Sequence, residues 1–222
     1  MPAEPIHELP SAYHEVRHVQ LTEDRFLLWL NILSVIPIIG MIALMAVWWV
    51  VVSWRRVPEP VLPVPWWLAL IAAIVIVLPL HEFLHGVTIA RFGQRVRYGA
   101  KLSKGVLFAT ADNALFRRNE YLAVALAPLV GITLLVMMLM AIVPQWLAYY
   151  CGIAAVLNAG GAIGDLWSVG ILWRYPVRAL VRDEADGFRI YVPGSASGSV
   201  ADAAPGSAPG SSIQNREPPS SG

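Results

Sequence analysis

The chain has 222 residues, of which 57% are hydrophobic and only 14% charged, with a net charge of +1. Soluble domains carry about 25% charged residues and disordered chains are poor in apolar ones, so this composition points instead to a small multipass membrane protein. A net charge so near zero argues against a nucleic-acid partner, and the single cysteine, Cys151, excludes a disulfide framework and a Cys-rich zinc module.

Residues 1–25 read as a polar cytoplasmic arm, too acidic for a secretory leader. Apolar blocks follow at 26–54, 66–90, 121–143 and 146–173. Each exceeds the about 20 residues that a helix needs to cross a bilayer. Tryptophans gather at their edges (Trp29, Trp54, Trp66, Trp67, Trp146, Trp173), as in an interfacial belt. Between the second and third blocks, Val96, Tyr98, Ala100 and Leu102 alternate with polar residues or glycine up to Ser103-Lys104-Gly105. Period-two alternation around such a turn predicts a β-hairpin over 96–108, either a membrane-surface anchor or an edge for an extended substrate. Only Pro144 and Gln145 separate the last two blocks, which predicts a tight antiparallel helix pair. Residues 188–192 are a short strand or the start of the tail, and 193–222 read as a disordered Gly/Ser/Ala/Pro tail. The expected fold is all-α: a membrane domain over 26–192 with four transmembrane helices and a cytoplasmic-side β-hairpin between the second and third.

Four spans place both termini on one side. The arm carries two Lys or Arg, the middle loop seven and the C-terminal side five, against only Arg55 and Arg56 opposite. The positive-inside rule then predicts cytoplasmic termini.

Ionisable groups within a span are costly and mark function. Of fifteen acids and five histidines, only Glu82, Asp165, His81 and His85 fall well inside the apolar blocks. His81-Glu82-Phe83-Leu84-His85 is an HExxH pattern. On a helix, the two imidazoles stand about 40° apart and one turn apart, so both reach one metal from one face. Glu82 flanks that metal, where it holds a water and takes its proton. The bland alternative is a pair of buried histidines bonded to backbone or to Glu82.

A catalytic zinc site has three protein ligands, and Asp165 is the natural third. His81 and His85 precede Arg91 by ten and six residues, and Asp165 precedes Arg174 by nine. At about 1.5 Å per residue all three lie about 9–15 Å from the cytoplasmic boundary. Asn158, two turns before Asp165, holds substrate or an oxyanion, or hydrogen-bonds across helices. Gly160, Gly161 and Gly164, with Ala127 and Gly131, predict close packing of the last two helices. Pro79, Pro37 and Pro128 each remove a backbone hydrogen bond and kink their spans. Cys151 lies toward the far side and is expected to be a packing residue.

These residues carry a resemblance. His81-Glu82-Phe83-Leu84-His85 on one span, Ala127-Pro128 on the next, and Asn158 followed by Gly164-Asp165 on the last resemble the putative zincin peptidase family, small prokaryotic membrane proteins first grouped as a domain of unknown function. More distantly, the chain is similar to the site-2 class of intramembrane metalloproteases. The resemblance covers about half the chain, 66–173. It implies zinc held by His81, His85 and Asp165, water activated by Glu82, and a site lined by Asn158. The chain departs from the site-2 pattern around the aspartate, where it reads Asn158-Ala-Gly-Gly-Ala-Ile-Gly-Asp165-Leu166-Trp167 without a proline-rich stretch. The expected protein is a zinc-dependent intramembrane endopeptidase of the bacterial inner membrane, acting on membrane protein or peptide substrates within the lipid bilayer. The alternative is a metal-binding membrane scaffold or regulator without hydrolysis. Glu82 separates the two, since a scaffold needs no base beside its metal.

Overall fold

The computed structural model describes residues 5–194 apart from 7, 22, 55–64, 102–105 and 185–186. In chain order, β1 (Tyr13–Gln20) leads to α1 (Asp24–Leu33), α2 (Val35–Ser53) and α3 (Trp66–Arg91). Then come β2 (Arg97–Lys101), β3 (Val106–Thr110), β4 (Leu115–Arg117), α4 (Arg118–Ile142), α5 (Gln145–Gly161), α6 (Ile163–Leu172), β5 (Leu180–Glu184) and β6 (Gly187–Pro193). The structure is mostly helical. Three stretches, Arg25–Ser53, Trp67–Arg91 and Arg118–Ile142, are long and apolar enough to cross a membrane, and α5 with α6 makes a fourth if that bent pair is one span. Their outward faces expose Ile39, Val47, Val75, Ile76, Leu134 and Met138, a surface suited to lipid.

Two of the apolar blocks are broken. Ser34 separates α1 from α2, and Pro37 lacks the N–H that would bond to Leu33. The block 146–173 bends by 48° at Ala162, between α5 and α6. Gly160, Gly161 and Gly164 flank the bend, and glycine is a weak helix former. The bend also changes what the small residues do. A Cβ at Gly160 would meet Ile38 of α2 and one at Gly131 would meet Leu84 of α3, whereas Gly161 and Gly164 face open space. They line a cavity rather than a helix contact. Cys151 packs beside the membrane core of Met41, Met45, Val77, Ile132, Val136, Met140 and Ala155.

An all-α fold does not describe this chain. The hairpin between the second and third spans is present as β2 paired with β3, with Tyr98 opposite Ala109; its turn, 102–105, lies outside the described residues. Beside it stands an antiparallel sheet in the order β1-β6-β5-β4. It draws β1 from the expected arm and β6 from the segment left between strand and tail. The expected tail lies outside the described residues from 195 onward. Residues Val19, Val181, Phe188 and Ile190 of the sheet pack on Leu122 of α4 and on Ile171 and Leu172 of α6. Gly187, at φ 156°, brings β6 against β1 so closely that a Cβ would overlap the Val19 carbonyl. The sheet therefore seats on the helix ends that carry the chemistry.

Candidate metal centre

The HExxH residues sit in the second half of α3, whose one-turn spacing turns His81 and His85 the same way. Asp165 lies in the first turn of α6, just past the bend. The bend brings it over both imidazoles. His81 Nε2 is 3.1 Å from Asp165 Oδ2, and His85 Nε2 is 3.4 Å from Asp165 Oδ1. The two rings stand edge to face at 75° with centroids 4.9 Å apart.

The other ring nitrogens decide what those Nε2 atoms can do. His81 Nδ1 is 3.0 Å from Asn158 Oδ1, and His85 Nδ1 is 2.9 Å from the Val124 carbonyl oxygen. Both partners are acceptors, so each Nδ1 carries the proton and donates it. With each Nδ1 proton so engaged, a metal between the Nε2 atoms and Asp165 would find neutral imidazoles with their lone pairs at Nε2, the form that ligation requires. Asn158 is fixed in turn. Its Nδ2 donates to the Pro128 carbonyl at 3.2 Å. Asn158 is only 1% exposed and both ends of its amide are engaged. Of the two roles open to it in the sequence, the interhelical hydrogen bond is therefore the one present.

His81, His85 and Asp165 offer ligand atoms that all lie within 4.8 Å of one another. Donors around a tetrahedral zinc with bonds of about 2.0–2.1 Å stand about 3.3 Å apart, and the two nitrogen–oxygen spacings of 3.1 and 3.4 Å agree with this. Two imidazole nitrogens and one carboxylate are also a donor set that zinc accepts. The residues present fit a zinc ion.

Glu82 faces the same cavity, which Ala109 of β3 lines as well. The hairpin is held there because Gly86 has no side chain; a Cβ would overlap the Tyr98 ring. The cavity is about 230 Å³ and runs from His81, Glu82 and Asp165 past Tyr121 to Asp183 and Glu184 of the sheet. Its far wall went unseen in the sequence. Asp183, on β5, accepts hydrogen bonds from Thr110 Oγ1 (2.6 Å), the Ala111 amide (2.8 Å) and Tyr121 Oη (3.1 Å). Burial pushes its carboxyl above the usual carboxylate range. No local signal marks Asp183, because an acid in a polar stretch outside the spans is ordinary.

No curated protein and no solved structure matches the chain. The segment that holds His81, Glu82, His85, Asn158 and Asp165 is matched: residues 74–180 fit the family model described as putative zincin peptidase.

Proposed function

We propose that the chain is a zinc-dependent endopeptidase that cuts membrane-associated protein substrates within the bacterial inner membrane. The observation that carries this reading is one cavity shared by a carboxylate base, Glu82, and three convergent metal donors, His81, His85 and Asp165. A scaffold would need the donors and not the base.

A zinc ion at these donors supplies the Lewis acidity that polarises a scissile carbonyl and acidifies water. The remaining roles belong to the chain. Glu82 takes the proton of the attacking water at its carboxylate and later passes it to the leaving nitrogen. Asn158 is a positioning residue that holds His81 by its Nδ1 proton. Residues Leu107, Phe108 and Ala109 of β3 line the cavity, and an extended substrate segment adds along this strand. A helical substrate must unwind to do so.

Topology supports the cytoplasmic placement of both termini. β1 precedes the first span, β4 lies between α3 and α4, and β5 and β6 follow α6, yet all four strands share one sheet. Three chain segments meeting in one sheet are what two crossings between each of them would produce. That sheet also carries Arg17, Arg117, Arg182 and Arg189, the charge expected of a cytoplasmic face. The cavity reaches the sheet, which gives water a path from that face.

The test is Glu82→Gln. Cleavage of a transmembrane reporter should fall by at least about 100-fold while zinc stays bound. Undiminished cleavage would remove Glu82 from the mechanism, and no cleavage by the intact protein of any transmembrane reporter would favour the scaffold.

A further inference from the structure

Pro128 is fully buried in the interior of α4, where proline is ordinarily a defect. It has no N–H. The carbonyl four residues earlier, that of Val124, therefore has no partner within the helix. The pyrrolidine ring also crowds that carbonyl and tilts it off the helix axis. At membrane depth an unpaired carbonyl is costly, and neighbouring groups are expected to satisfy it. The group that does so is His85 Nδ1, at 2.9 Å. The carbonyl of Pro128 itself accepts the Asn158 amide at 3.2 Å, and Asn158 Oδ1 accepts from His81 Nδ1 at 3.0 Å.

We propose that Pro128 is the positioning residue for both metal-binding histidines. Its missing N–H releases the Val124 carbonyl to His85, and its own carbonyl anchors the Asn158 bridge to His81. One break in the α4 ladder thus fixes two tautomers on α3. The missing N–H is the means by which the Val124 oxygen, otherwise used up inside a helix, becomes a partner for the site. Outer partners of this kind set ring orientation and ligand basicity, and their loss typically weakens metal binding 10–100-fold.

The inference rests on the metal centre described above, and the two fail separately. The full chain in detergent, with and without Pro128→Ala, would be titrated with zinc against a chelating indicator, and the melting temperature of the metal-free forms measured. The alanine restores the N–H and so the helical bond to Val124. Helix stability should hold or rise, while zinc affinity should fall at least about 10-fold. A merely structural proline would give the opposite pairing, and a fall in melting temperature with affinity unchanged would overturn the proposal. So would an affinity within about twofold of the parent, against the loss expected for an outer partner. No zinc binding by the parent chain would instead overturn the metal centre. Should the variant not fold, nitrogen-15 spectra of the zinc-loaded parent decide. A proton on Nδ1 of both His81 and His85, with zinc at Nε2, supports the proposal, and zinc at Nδ1 of His85 overturns it.

Discussion

His81 and His85 reach the cavity in the same tautomer by different means, one through a side chain on α5 and the other through a backbone carbonyl on α4. The first partner was visible in the sequence as Asn158. The second was hidden, because a carbonyl has no letter of its own. Proline arithmetic could have named it, since counting back four residues from Pro128 gives Val124. Asp183 is a different case. Three donors hold its charged form, yet burial outweighs them and its carboxyl is pushed up. The folded state therefore binds the proton more readily than the unfolded chain. The stability this contributes is full below the ordinary carboxylate pKa of about 3.9 and is lost as pH rises through the raised value. Asp183→Asn removes that titration. The melting temperature of the parent minus that of the variant should shrink as pH rises from 4 toward 7. A difference independent of pH would contradict the assignment.

At the scale of elements, length and apolarity made the helices legible, and the hairpin was legible from its period-two alternation. The four-stranded sheet was not. β1 buries only Val19 among its eight residues, so it shows no alternating face, and its partner β6 lies at the other end of the chain. The bend at Ala162 was also missed, because glycines in an apolar run read equally as helix packing. What holds α6 in place after the bend is Arg118. This buried side chain donates from Nε to the Leu172 carbonyl at 3.0 Å and from Nη2 to that of Trp173 at 3.4 Å, and its guanidinium lies 5.6 Å from the Trp173 ring centroid. The Leu172 carbonyl also accepts the Tyr175 amide at 3.0 Å, so the guanidinium adds a second, charged bond there and one at Trp173. Arg118→Ala should cost about 1.5–3 kcal/mol, the range for hydrogen bonds to a charged group, and Arg118→Lys should recover part of it. Unfolding in mixed micelles would measure this. An alanine variant as stable as the parent would show that the clamp contributes nothing.

For the whole molecule, the two expensive features of the sequence meet. Ionisable groups within apolar helices were readable and converge on one cavity, and the sheet at its far wall carries Arg17, Arg117, Arg182 and Arg189. The sheet ties the beginning, middle and end of the chain into one platform over the ends of α4 and α6. That platform packs on Ile171 and Leu172 of α6, the helix that carries Asp165. On the proposed function, His81, His85 and Asp165 together hold one metal ion across α3 and α6. Elemental analysis of detergent-purified protein, with His81→Ala and Asp165→Ala prepared alongside, is the test. About one zinc ion per chain is expected, as a three-ligand site requires, lost or much weakened in both variants. An intact protein that takes up no metal after zinc is resupplied, or variants that bind as well as the parent, would contradict it.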